Sequence, residues 1–144
     1  MSLTSAISHN LLINAIMIIR QISVFLQNRL GRFSEMAAIL GEAGVNMQAF
    51  TVSENADFGI VRLIVEDIDL AVEVLRAHSF IVSVTEVLLL EMPDEPGALA
   101  TYMHKLSQAG LFIEYMYAFS ASDSARVIIK TDDIQRSLTA LSKD

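Results

Sequence analysis

The hexapeptide Asp94-Glu95-Pro96-Gly97-Ala98-Leu99 lies between an apolar run, residues 84–92, and a helical pattern that begins near Ala98. Pro96 fixes its own φ and biases Glu95 away from the helical region, while Gly97 admits backbone conformations and close approaches that a side chain would block. The stretch therefore reads as a strand-to-helix corner. Backbone N–H groups at the start of the following helix have no intrahelical partner and point over the turn, an arrangement suited to a carboxylate.

The corner has a counterpart earlier in the chain. Gly97 aligns with Gly31 at an offset of 66 residues (97 − 31), and the same offset pairs Leu40 with Leu106, Gly44 with Gly110 and Asp57 with Asp123. With no gap it continues through Val61 and Val127, Asp67 and Asp133, Ile68 and Ile134, and Leu75 and Leu141. A register held that long marks an internal duplication.

Within the first copy, Ile22, Val24 and Leu26 alternate against Gln21, Ser23 and Phe25, which predicts a strand over 18–26 with one buried face. A turn at 28–32 follows. Phe33, Met36, Ala37 and Leu40 then recur at helical spacing, and Gly44 is the expected C-terminal stop. Strands are predicted over 45–53 and 60–66, joined by a hairpin at 55–58. Asp67 caps a second helix with Ile68, Ala71, Val72 and Leu75 on its buried stripe, and a fourth strand starts near Phe80. In the second copy Leu99, Tyr102, Met103 and Leu106 form the first buried stripe, and Ile134, Leu138 and Leu141 the second. The chain ends where its fourth strand would begin. A missing strand would leave an apolar edge, and the same offset places residues 11–19 in position to supply it. The expected fold class is α+β: two ferredoxin-like βαββαβ repeats, at 17–86 and 87–144, with antiparallel sheets and helices on one face.

Composition narrows the function. The net charge is −7, with ten Lys and Arg residues and no cluster of them, which argues against nucleic acid as a partner. There are no cysteines, so disulfides, thiolate nucleophiles and cysteine-held metals are excluded. Apolar residues make up 53% and mean hydropathy is +0.47, yet no run approaches the ~18 apolar residues of a membrane span, so no membrane association is expected. Basic residues do not precede an apolar N-terminal core as in a secretory signal, which makes the cytoplasm the expected compartment. Residues 1 to about 10 read as a leader, and Met17 as a candidate start.

With this topology, the repeat and a turn of the Asp-x-Pro-Gly-x-Leu kind, the chain resembles a tandem pair of ACT domains over about 17–141. The helix-to-strand joins Glu42-Ala43-Gly44-Val45-Asn46-Met47 and Gln108-Ala109-Gly110-Leu111-Phe112-Ile113 support the resemblance. ACT domains are regulatory modules that mostly bind amino acids where the first turn of one domain meets the second strand of its neighbour. The resemblance therefore implies a ligand site using Asp94, Glu95, Pro96, Gly97, Ala98 and Leu99 with Tyr115 and Tyr117. It implies a second using Asn28, Arg29, Leu30, Gly31, Arg32 and Phe33 with Asn46 and Phe50. The first copy departs from the motif, with Asn28 in place of Asp94 and Leu30 in place of Pro96, so the two sites should not be equivalent. Amides near Gly31 or Gly97 suit the ligand's carboxylate, and Asp94 or Glu95 its ammonium.

Other residues carry less. His9, His78 and His104 share no ligand-spaced motif, and Asp132-Asp133 reads as a helix cap, so no metal is expected. No cofactor is expected either. Arg29 and Arg32 read equally as an anion grip or as exposed loop charges. No Ser lies in a G-x-S-x-G context, which leaves catalysis unsupported beyond an acyl-phosphate reading of Arg29 or Arg32. An outward sheet face of Val87, Leu89, Phe112, Met116 and Ile128 needs a cover, and a homodimer through it is expected. Three functions follow: an amino-acid sensor, a ligand-free interaction module regulating an enzyme in trans, and, least supported, a catalyst.

Overall fold

The computed structural model describes residues 15–27, 29–54 and 58–143. Its elements, in chain order, are β1 (Ala15–Gln27), α1 (Arg32–Glu42), β2 (Ala49–Glu54), β3 (Phe58–Ile64), α2 (Ile68–Ala77), β4 (Ile81–Pro93), α3 (Ala98–Gln108), β5 (Ile113–Ala121), β6 (Ser124–Thr131) and α4 (Ile134–Ser142). The expected α+β order is present. Among the described residues, one compact unit comprises residues 20–85 and the other residues 15–19 with 86–143.

In the unit of residues 20–85, β3 lies between β2 and β1, antiparallel to both, with Val24 opposite Val61 and Phe50 opposite Leu63. The alternation in β1 puts Ile22, Val24 and Leu26 on one face. There they pack with Val61 and Leu63 of β3, Met36 and Leu40 of α1, and Ala71 and Leu75 of α2, so both helices cover the same side of the sheet. The other unit repeats the plan. Strand β6 lies between β5 and β4, and Leu88, Leu90, Val127 and Ile129 meet Tyr102 and Leu106 of α3 and Leu141 of α4. Ile16 and Ile18 of β1 pack against this second cluster.

Asp67 and Asp133 cap α2 and α4, accepting from Leu70 N at 3.1 Å and Arg136 N at 3.0 Å, as their sequence positions imply. Helix ends depart from the expected strand bounds. The N–H of Val45 donates to Leu40 O at 2.9 Å in a Schellman closure around Gly44, so β2 begins at Ala49 rather than at residue 45. Ser79 occupies the same left-handed position after α2, with φ 66° and Phe80 N on Leu75 O.

Three further expectations are corrected. Leu99 is 41% exposed, because Ala98 in the first turn of α3 and Met103 in the second are the residues that reach the core. Val87, Leu89 and Ile128 do not await a cover: each is at most 1% exposed in the single chain. Met116 does not share their face. A β-bulge between Ile113 and Tyr115 inserts Glu114 as an extra residue, which reverses the alternation beyond it. Met116 consequently pairs with Ile129, a residue of the helix-side core, and Tyr117 with Ile128 on the opposite face.

Candidate functional site

The turn after β4 is built from backbone bonds. Glu95 N donates to Pro93 O at 2.9 Å, Ala98 N to Glu95 O at 3.3 Å, and Asp94 N to Asp123 O at 3.4 Å, which ties the turn to the tip of the β5–β6 hairpin. Gly97 is the N-cap of α3 at φ 89°, ψ −14°, a left-handed conformation open to glycine at little cost. Its carbonyl accepts from both Thr101 N and Thr101 Oγ1, each at 3.2 Å. Asp94, Glu95 and Pro96 are exposed. Among the described residues neither carboxylate is ion-paired.

The turn after β1 has the same backbone and different side chains. Gly31 caps α1 at φ 84°, and its carbonyl accepts from Glu35 N at 2.9 Å. Arg29 and Arg32 both turn to Glu35 Oε2, at 3.7 and 3.1 Å. Arg32 also lies over the Phe80 ring with its guanidinium carbon 3.7 Å from the centroid. Glu35 and Phe80 thus occupy the two cations. The i,i+3 spacing of Arg32 and Glu35 was the sequence signal for this pairing. Phe33 meets Phe50 at 6.1 Å between ring centroids, Leu30 is almost fully exposed, and Asn46 is exposed just before β2. Asn28 lies outside the described residues.

Not every implied neighbour is brought together. Phe50 joins Phe33 within one unit, but Tyr115 and Tyr117 do not join residues 94–99 within the other. The row beside that turn is Pro93, Ser124 and Ala121. Tyr117 is four residues back from Ala121, roughly 13 Å along the strand, and on the face away from the helices. The glutamate bulge that aims the tyrosines there left no mark in the periodicity.

What separates α1 and α3 from the other two helices is how they begin. Asp67 and Asp133 supply carboxylates to α2 and α4, whereas the glycine N-caps of α1 and α3 supply no side-chain bond. The first-turn amides of Phe33 and Ser34, and of Leu99 and Ala100, therefore have no side-chain acceptor at the cap, beside partial positive charge from the helix. Such a terminus can hold a carboxylate. Among the described residues no group of acidic, His or Cys side chains is arranged to hold a metal, and no helix is long and apolar enough to cross a membrane.

A family model for an ACT domain pair matches residues 17–143. Curated proteins give no match. Among solved structures, the protein BT0572 from Bacteroides thetaiotaomicron is 40% identical over 88% of each chain, with a TM-score of 0.83. The ligand-free regulatory subunit of aspartate kinase from Thermus thermophilus is 14% identical, over 88% of this chain and 93% of that one, with a TM-score of 0.61. Its counterpart from Thermus flavus is 14% identical over 89% and 94%, with a TM-score of 0.62. The last two likenesses are of fold.

Proposed function

The chain belongs to the ACT domain family as a domain pair, and on that premise we propose that it is a regulatory protein that binds an amino acid at its glycine-capped helix starts. The observation that carries this reading is the contrast in capping: α1 and α3 begin on Gly31 and Gly97 without a carboxylate, and α2 and α4 begin with one. The ligand's carboxylate takes the place of the missing cap. Asp94 or Glu95 receives its ammonium at the second turn by a charge-assisted bond. The first turn offers Arg29, Arg32 and Glu35 as an ion-paired set, so the two turns differ in affinity. Leu99, Phe33 and Phe50 favour an apolar side chain on the ligand. On this reading its partner is a metabolic enzyme, and it works as a homodimer in the cytoplasm.

A second reading rests on Leu30, Phe50 and Val52, apolar side chains of the unit of residues 20–85 that are 99%, 51% and 51% exposed. They suit a protein-interaction module with no ligand of its own.

A thermal-shift screen against the common amino acids separates the two. A ligand at 100 times its Kd adds roughly 2.7 kcal/mol to stability. Gly97→Val should abolish that gain if the second turn binds, and Gly31→Val reports on the first. A Cβ at either glycine meets nothing within 4 Å, so the penalty is one of φ alone, about 1–2 kcal/mol. Gly97→Asn, which tolerates φ above zero, controls for it by keeping the turn. Stabilisation by no amino acid would favour the interaction module.

A further inference from the structure

We propose that the groove between α3 and α4 is a binding site for a small phosphorylated ligand, separate from the glycine-capped turns. Two adjoining cavities line this groove. One, of about 380 Å³, is walled by Gln135, Arg136, Thr139 and Lys143; the other, of about 260 Å³, by His104, Lys105, Gln108 and Lys143. Ala109 and Ala140 belong to both, so the floor where they join is made of small side chains.

In a chain of net charge −7, three of ten Lys and Arg residues line these cavities. Elsewhere five cations are paired with carboxylates, Arg20 with Asp69, Arg29 and Arg32 with Glu35, Arg126 with Glu91 and Lys130 with Glu114, while Arg62 donates to Ser53 Oγ and Arg76 to Val82 O. Lys105, Arg136 and Lys143 have no carboxylate partner among the described residues, and no carboxylate lines either cavity among them.

Two of the three are held in place by helix ends. Lys105 Nζ of α3 donates to Lys143 O just past α4, at 2.6 Å, and Arg136 Nη2 of α4 donates to Ala109 O at the end of α3. This reciprocal capping uses one N–H of each group, and an ammonium has three donors and a guanidinium five. The remaining donors are positioned without further loss of side-chain freedom. Two helix C-termini bring about −0.5 charge each, against three full positive charges, so a surplus remains for a multiply charged anion. A single carboxylate matches that surplus poorly; a phosphoryl group, with about −2 charge and three acceptor oxygens, matches it and the guanidinium fork.

The test is calorimetric titration of the full chain with inorganic pyrophosphate, ADP and citrate, at low and at physiological ionic strength. Pyrophosphate and ADP should bind, and Lys143→Gln and Arg136→Gln should each weaken them ten-fold or more, while Arg20→Gln leaves them unchanged. ADP binding more tightly than pyrophosphate assigns the site to a nucleotide; equal affinities assign it to the phosphoryl group alone. Lys143→Gln keeps the result decisive should Arg136→Gln loosen the α3 end, because among the described residues the Lys143 ammonium holds no other part of the fold. Absence of heat with both phosphates, citrate binding as tightly as pyrophosphate, or equal loss in Arg20→Gln would overturn the proposal.

Discussion

Deleting residues 1–18 is expected to lower the melting temperature by roughly 12 °C. The deletion removes Ile16 and Ile18, which pack against the cluster built on Leu88, Leu90, Val127 and Ile129. Both are partly buried, so each loss falls at the low end of the large-to-small range, about 2 kcal/mol. Together they make about 4 kcal/mol, and a chain of this size shifts by ~3 °C per kcal/mol. The proposal behind the number is that residues 15–19 of β1 are part of the second core, as the packing of Ile16 and Ile18 supports. Circular-dichroism melts of the full and shortened chains give the answer. Coincident curves would mean that this end of β1 contributes nothing to the second core.

The second large effect concerns a charge pair on the sheet face away from the helices. Glu91 and Arg126 stand directly opposite each other on β4 and β6, with side chains 14% and 9% exposed. Arg126 Nε and Glu91 Oε2 are 3.6 Å apart, and neither atom has a hydrogen-bond partner. Arg126→Met should cost about 3 kcal/mol, the lower end for breaking a buried pair, because it strands the Glu91 carboxylate. The double variant Glu91→Leu with Arg126→Met should return to within about 1 kcal/mol of the parent, since apolar replacements end the desolvation penalty. Urea unfolding of the four proteins closes the cycle. Single-variant losses that simply add would show that the two charges are not coupled.

The fold was legible because its signals are local and repeated. Asp67 and Asp133 each precede an amphipathic helix, Gly44 and Gly110 each end one, and a constant offset joins the copies. What was hidden depends on partners far away in sequence. Arg126 sits in a run of four buried residues, 126–129, buried on both faces of the sheet, where alternation no longer tells the faces apart. Ser137 can be fully buried because its hydroxyl donates to Asp133 O and shares a hydrogen bond with Thr131 Oγ1, bonds that no hydropathy pattern encodes. Glu114 looks like any exposed strand charge, paired with Lys130 at 2.7 Å, yet its insertion decides which way Met116 and Tyr117 face. At the candidate site the two glycine turns were readable and the i,i+3 spacing signalled Arg32 with Glu35, whereas the stacking of Arg32 on Phe80, distant in sequence, was not readable.

The way the four helices begin bears on how a bound amino acid would be felt by the rest of the molecule. Two helices carry their terminal carboxylate as part of the chain; the other two borrow it, on the function proposed, from solution. A borrowed cap comes and goes with concentration, so the stiffness of the first turn of α1 or α3 becomes a readout of how much ligand is present. On this view the signal begins as order gained at a helix end, before any larger rearrangement is called for.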